Sequence, residues 1–274
     1  MTRITDHPDG AARVRLITFD RPQSRNAFDT ALYSGVADAL DEAAASDDFA
    51  VVVLTGEGTA YSAGQDLVEM GRLGQPEANP ALGDDPVREE ARAEHGFSRF
   101  IGAIEAFPKP IIAAVNGVAV GIGTTMLPYC DLVLASDDAR FRLPFASLGV
   151  VPEAGSTYTL PSVMGWQQAA HLFFTAEWLD VHQAIACGLV WRRCSPADLV
   201  AEALGVAASI AKMPIVSLVE TKRLLLATRL DAAQAARARE EEVFRHLTGA
   251  PANREAIAAF LEKREADFTN LPER

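Results

Sequence analysis

Residues 116–161 read NGVAVGIGTTMLPYCDLVLASDDARFRLPFASLGVVPEAGSTYTLP, and the rest of the chain is read outward from this stretch. Near its start is a glycine-flanked turn, Gly121-Ile122-Gly123, that follows apolar strand residues and leads into a helix. Glycine lets a backbone turn sharply and approach a ligand closely, and the first N–H groups of a helix have no partner within it. Further on stands one acid, Glu153, in the apolar, glycine-bearing run Val151-Pro152-Glu153-Ala154-Gly155-Ser156. Donors at one place and a single carboxyl at another suit chemistry in which the donors hold a developing anion while the acid moves a proton.

Working outward, residues 111–115, 131–135 and 139–143 have the length and apolar content of short strands. Upstream, the run AVVVLT at 50–55 has the continuous apolar character of a strand buried on both faces. Residues 13–19 (RVRLITF) alternate polar and apolar, as a half-buried strand does. Between them, 29–45 places Leu32, Val36 and Leu40 on one helical face, with Asp29 as N-cap. Helix, buried strand, loop and helix in succession are the pattern of crossover units in an α/β fold.

A second glycine-bearing loop, GEGTAYSAGQDL at 56–67, follows the 50–55 strand. Residues 71–86, rich in Gly, Pro and acids, predict a mobile surface insertion. A helix is expected over 87–107, with Phe97, Phe100, Ile101 and Ile104 as its buried stripe and Pro108 and Pro110 as its stop. Past Pro161 the candidates are helical: 166–174, 181–187, 196–212, 215–228, 231–247 and 253–268. The simplest division is an α/β body over 1–195 and a helical tail over 196–274. The tail is too small to bury a core of its own, so it is expected to dock on the body or on another subunit.

Bulk properties narrow the function. Among 274 residues, 25 are Lys or Arg and 37 are Asp or Glu, a net charge of −12. That balance argues against a nucleic-acid partner, which calls for a basic surface. No segment reaches the roughly 18 apolar residues of a membrane span, and the opening residues lack the apolar core of a signal peptide. A cytoplasmic protein with no membrane partner is expected. Cys130, Cys187 and Cys194 have no metal-ligand spacing and read as reduced thiols. The five histidines, His7, His95, His171, His182 and His246, share no short metal spacing, so no metal is expected.

Neither glycine loop fits a nucleotide fingerprint. Residues 121–126 lack the third glycine of a dinucleotide site, and GEGTAYSAG lacks the Lys-Ser/Thr of a P-loop. What remains is one backbone N–H from each loop, at Gln65 and at Ile122, and two donors on one oxygen make an oxyanion hole.

Ser62-Ala63-Gly64-Gln65-Asp66-Leu67, then Asn116-Gly117-Val118-Ala119-Val120-Gly121-Ile122-Gly123, then Cys130-Asp131 resemble the successive signatures of the enoyl-CoA hydratase/isomerase (crotonase) family. RPQSRNAF at 21–28 and AIACGLV at 184–190 extend the resemblance over essentially the whole chain. It implies a crotonase-like spiral of ββα units with a C-terminal helical region through which subunits associate into a trimer or hexamer. It also implies an acyl-CoA thioester whose carbonyl oxygen accepts from the backbone N–H groups of Gln65 and Ile122. Ala63, Gly64, Asp66, Leu67 and Phe145 would be further substrate contacts, with Arg25 near the CoA phosphates. Coenzyme A would be part of the substrate, and no separate cofactor is implied.

By the same resemblance, hydratases carry two glutamates at places that fall here on Thr125 and Phe145, neither of them acidic. Water addition needs a water held and deprotonated, which paired carboxylates provide, whereas Phe145 would dry the site. The run around Glu153 instead resembles monofunctional Δ3,Δ2-enoyl-CoA isomerases, in which one carboxyl takes a proton from C2 and returns it at C4 through a dienolate. An apolar wall that includes Phe145 would raise the pKa of Glu153. Two alternatives stay open: another crotonase-type enzyme (enoyl-CoA hydratase or thioester hydrolase), and a non-catalytic acyl-CoA-binding protein. Outside the resemblance, Thr125 reads as a helix-start residue and Asp66 as a local loop-fixing acid. Glu240, Glu241 and Glu242 read as a solvated helix face.

Overall fold

The computed structural model describes residues 1–8, 12–69, 96–269 and 271. The expected insertion at 71–86, residues 87–95 of the expected helix, and His95 lie outside these. In chain order, β1 (Thr2–Asp6), β2 (Val14–Phe19), α1 (Thr30–Ala45), β3 (Val51–Gly56) and β4 (Ala60–Ser62) precede α2 (Gly96–Ala106). Next come β5 (Ile111–Val115), β6 (Val118–Val120), the single turn α3 (Ile122–Thr125), β7 (Leu132–Ser136) and β8 (Arg140–Arg142). Then follow α4 (Ser156–Met164), α5 (Trp166–Thr175), β9 (Trp178–Asp180), α6 (Val181–Ala186) and β10 (Arg192–Cys194). Four helices close the chain: α7 (Leu199–Ala211), α8 (Ile215–Leu226), α9 (Leu230–Leu247) and α10 (Pro251–Glu262).

The strands form two sheets, one in the order β1-β2-β3-β5-β7-β10 and one in the order β4-β6-β8-β9. From β2 to β10 the larger sheet is parallel, with Val52 opposite Ile111 and Ile112 opposite Leu132. Each of β3, β5 and β7 passes through a short turn into a strand of the smaller sheet. Repetition of that step, a strand in each sheet and then helix, makes the crotonase-like spiral of ββα units.

The buried run of β3 explains why the sheet needs cover on both sides. Alternate side chains point to opposite faces of a strand. Val52 and Leu54 join the core formed with Leu32, Val36 and Leu40 of α1 and Phe100, Ile101 and Ile104 of α2. Val51 and Val53 face the other way, with Ile112, Ala114 and Leu134, onto Leu199, Ala203 and Ala207 of α7. The helical tail therefore docks on the body through α7. On α8, Val216, Leu224 and Leu225 remain exposed.

Some elements differ from expectation. The short strands β4, β6, β9 and β10 carry too few residues for a readable pattern. Helix α4 starts at Ser156 and runs through Pro161, where helix was expected only later. Helix α10 stops at Glu262 because Lys263 takes the left-handed conformation, φ 56°. β2 is not half-buried: Arg15 is enclosed, paired with Asp6 at 2.7 Å and Glu42 at 3.1 Å, its guanidinium 4.3 Å from the centre of the Phe49 ring. Among the described residues, no single helix is long and apolar enough to cross a membrane, and no group of three or more His, Cys, Asp or Glu could hold a metal ion.

Candidate active site

The turn that carries Gln65 is pinned by Phe28. The Phe28 N–H donates to the Gly64 carbonyl at 2.7 Å, and the Asp66 N–H donates to the Phe28 carbonyl at 2.9 Å. Both bonds use the neighbours of Gln65, so its own N–H faces the other side and has no partner among the described residues. Ile122 opens α3, and its N–H is likewise unpartnered among the described residues, as the first turn of a helix leaves it.

Gly64 brings the two turns together. Its φ is +91°, and a Cβ there would lie 2.8 Å from the Val120 carbonyl oxygen and 3.8 Å from the Gly121 nitrogen. Only glycine permits both the conformation and the approach. The two open donors thus follow directly on residues whose backbones touch.

The residues around Gln65 are locked by the 21–28 segment. Asn26 is buried, and its Nδ2 donates to the carbonyls of Ala60 at 2.7 Å and Glu57 at 2.9 Å. Ser62 Oγ donates to the Asn26 carbonyl and accepts from the Gly64 N–H, while the Ala63 N–H donates to the Arg25 carbonyl. Asp66 accepts from the N–H groups of Val68 and Glu69 and pairs with Arg21 at 3.2 Å, so it fixes its own loop. Leu67 packs on the main core. Arg25 is exposed, and its guanidinium makes no ion pair with a described residue. Tyr33 of α1 donates its hydroxyl to Gln65 Oε1 at 2.8 Å.

Glu153 meets the same turn of helix from the other end. Thr125, the last residue of α3, is fully buried and donates its hydroxyl to Glu153 Oε1 at 2.7 Å. Ile122 and Thr125 thus open and close one helical turn, so the acid stands within that turn of a free donor. Part of the Glu153 side chain is reached by solvent, while protein packs round its carboxyl. Burial pushes its pKa up to about 8, opposed by the Thr125 hydroxyl and aided by the charge of Glu240. Phe145 is buried with its ring centre 6.4 Å from that of Phe173, in the same core as Ile122 and Ala154.

Two residues read otherwise from sequence belong to this site. Thr125 is the hydrogen-bond donor to the acid rather than a simple helix-start residue. Glu240 is not on a solvated face: it is 5% exposed and accepts from the N–H groups of Gly155 at 2.6 Å and Thr157 at 2.7 Å. Its spacing from Ala233 and Ala236, both buried, marks the inward face of α9 and was a usable signal.

The geometry can polarise a carbonyl oxygen with two backbone donors and move one proton beside it. Comparisons with known proteins give the family. Residues 9–271 match the family described as Enoyl-CoA hydratase/isomerase. The chain is 36% identical over 257 residues to 2,3-dehydroadipyl-CoA hydratase of Escherichia coli (strain K12), covering 93% of this chain and 95% of that protein. It is 40% identical over 190 residues to enoyl-CoA delta isomerase 2 of Homo sapiens, 69% of this chain but 45% of that protein. A solved enoyl-CoA hydratase/isomerase from Pseudoalteromonas atlantica T6c matches with a TM-score of 0.86 and 34% identity, over 98% of this chain and 99% of that one. The family match over nearly the whole chain, the near full-length hydratase relative and the solved structure show that the chain belongs to the enoyl-CoA hydratase/isomerase (crotonase) family of acyl-CoA enzymes.

Proposed function

We propose that the protein is a Δ3,Δ2-enoyl-CoA isomerase with Glu153 as its proton shuttle. The observation that carries this reading is one carboxyl among the described residues, held on Thr125 within one turn of the Ile122 donor, where a hydratase would need two. The ionised Glu153 takes a proton from C2 of a 3-enoyl-CoA, and the electrons of that C–H bond delocalise as the thioester becomes a dienolate. The Gln65 and Ile122 N–H groups hold the oxygen, and Glu153 returns the proton to C4, leaving the double bond between C2 and C3. A carboxyl with a pKa about 8 is a stronger base than an ordinary glutamate and still ionises near neutral pH. Ala63, Gly64, Asp66, Leu67 and Phe145 would line the thioester, and Arg25 would meet CoA phosphates. Assembly into a trimer or hexamer, supported by the exposed apolar side chains of α8, and a cytoplasmic setting are parts of the same proposal.

The test is incubation of the purified protein with 3-enoyl-CoA and 2-enoyl-CoA side by side. Conversion of the first to the second is expected, with kcat/KM rising through about pH 8 as Glu153 ionises. Glu153→Gln should lower turnover roughly 10²–10⁴-fold. An unchanged 3-enoyl-CoA, or full rate in the variant, overturns the reading. Hydration is the second reading, favoured by the near full-length similarity to the Escherichia coli hydratase. Consumption of 2-enoyl-CoA with uptake of water would establish it.

A further inference from the structure

The peptide that follows Glu153 is bent in an unusual way. Ala154 and Gly155 both take left-handed conformations, φ 60° and 67°, a region disfavoured for alanine and held only where the surroundings insist. Gly155 is the N-cap of α4 and has no side chain to satisfy the first N–H groups of that helix. The carboxylate of Glu240, on α9, does so instead. Its Oε2 accepts from the Gly155 N–H at 2.6 Å, and its Oε1 accepts from the Thr157 N–H at 2.7 Å and the Thr157 hydroxyl at 2.5 Å.

The other side of the bend is held as well. The Tyr129 hydroxyl contacts the Ala154 carbonyl oxygen at 2.7 Å, with Glu105 Oε1 3.1 Å away and Arg237 paired to Glu105 at 3.2 Å. A Cβ on Gly155 would lie 2.8 Å from the Ala233 carbonyl oxygen and 2.9 Å from the Tyr129 hydroxyl. Helix α9 therefore meets the bend at backbone distance, and an anion at the start of α4 also suits the helix dipole.

We propose that Glu240 is the positioning residue of Glu153, clamping the 153–157 turn from the C-terminal helical region so that the carboxyl stays presented on Thr125. The inference rests on Glu153 being the proton shuttle. It makes the site depend on the docking of α9, since without the clamp Ala154 and Gly155 are free to leave their left-handed conformations and carry Glu153 off Thr125. The charge of Glu240 also opposes ionisation of Glu153 and so strengthens it as a base. Among the described residues, the titratable groups that face Glu153 are Tyr33 from α1 and Glu240 from α9. Behind Glu240 stand Tyr129, Glu105 of α2, and Arg237 with Glu241 on α9.

The experiment compares the full-length protein with Glu240→Gln, Thr157→Val, Glu153→Gln and the surface control Glu242→Gln. Glu240→Gln keeps the shape and removes the charge and one acceptor. It should lower kcat about tenfold to hundredfold with little change in KM, as fewer molecules hold Glu153 on Thr125, and in those that do the lost charge moves the rising limb of kcat/KM to lower pH. Thr157→Val removes the hydroxyl bond and leaves the charge, so kcat should fall while the limb stays. Glu242→Gln should change neither. In the free protein, the ¹³C carboxyl resonance that disappears in Glu153→Gln reports the same titration without turnover. A purely structural Glu240 would lower the melting temperature and leave both titrations in place. Wild-type kcat and an unmoved limb in Glu240→Gln, with Glu153→Gln inactive, overturn the proposal. So does a wild-type kcat in Thr157→Val if Glu240→Gln fails to fold. An active Glu153→Gln overturns the isomerase reading instead, and the ¹³C titration then judges Glu240 separately.

Discussion

The turn that carries Gln65 and the turn that carries Glu153 are held in different ways. Around Gln65 the supports are backbone-directed and come mainly from one segment: Asn26 and Phe28, together with Ser62, bond to the turn and the strand before it, and Val120 and Gly121 close on Gly64. Around Glu153 the supports come from separate elements: Thr125 of α3 and Tyr129 after it, 28 and 25 positions from the groups they hold, and Glu240 of α9, 83 to 85 positions away. The first turn carries uncharged donors that need only a rigid backbone. The second carries a carboxyl whose proton affinity is part of its work, so charges and hydroxyls from several elements converge on it. A rigid donor needs only a pinned backbone, whereas a tuned acid takes a neighbourhood of charges and hydroxyls.

The largest effects should come from removing either partner outright. Glu153→Gln should abolish most turnover and, in addition, change stability with a definite sign. An ordinary glutamate releases its proton at 4.5, and the folded chain keeps this one to about 8. Between those values the folded state binds more protons, so its contribution is complete at acid pH and lost as pH rises through about 8. The slope is at most about 1.4 kcal/mol per pH unit. Glu153→Gln removes it, and its melting temperature should exceed that of the wild type at alkaline pH, measured by calorimetry across the range. Gly64→Ala is the matching break on the other side. Its Cβ would press on the Val120 carbonyl oxygen at 2.8 Å in a left-handed backbone, displacing the Gln65 donor. Loss of one oxyanion donor costs about 10²–10³-fold in kcat, and the pH limb should not move.

The same contrast explains what was legible in the sequence. The Gln65 side could be read because its parts lie in compact motifs, RPQSRNAF and SAGQDL, and because glycines signal a turn wherever they stand. Strands β3 and β5 were readable as continuous apolar runs, and helix α1 from its period and from the Asp29 cap, which accepts from the Leu32 N–H at 2.8 Å. β4 and β6, three residues each, carry no period to read and are defined by the neighbours they pair with. The Glu153 side was readable only as one acid in a suggestive setting. Nothing local marks Thr125 as its hydrogen-bond donor, and Glu240 is camouflaged by two acids that follow it. Its spacing from Ala233 and Ala236 hints at an inward face, but what it meets there depends on how α9 lies against α4, which is a tertiary fact.

Thr125→Val gives a smaller and more diagnostic effect. The hydroxyl bond lowers the pKa of Glu153, so its loss should raise that pKa further and move the rising limb of kcat/KM to higher pH. The rate at neutral pH should fall about tenfold, the value of a hydrogen bond to a charged group, and recover as the solution is made alkaline. Glu240→Gln and Thr125→Val are therefore expected to move one limb in opposite directions. A shared direction would mean that both act through the shape of the turn and not through the charge on its acid.

Tyr33→Phe should be the mildest break, because it touches the Gln65 side chain without touching the Gln65 N–H. The hydroxyl bond to Gln65 Oε1 is lost, worth about 1 kcal/mol of stability. The ring contacts with Phe28 at 4.7 Å and with Phe97 and Phe100 at 5.6 Å are kept. Burial holds the Tyr33 hydroxyl protonated well above its ordinary range, so it adds no charge beside Glu153 and the pH limb should stay where it is. The donor itself is aimed by the Phe28 bridge, which the substitution leaves whole. Steady-state rates with 3-enoyl-CoA should therefore fall by no more than about threefold, the kinetic equivalent of less than one ordinary hydrogen bond. A loss as large as that of Gly64→Ala would shift the role of Gln65 from its backbone to its side chain, and the two turns would then differ less than their hydrogen bonds indicate.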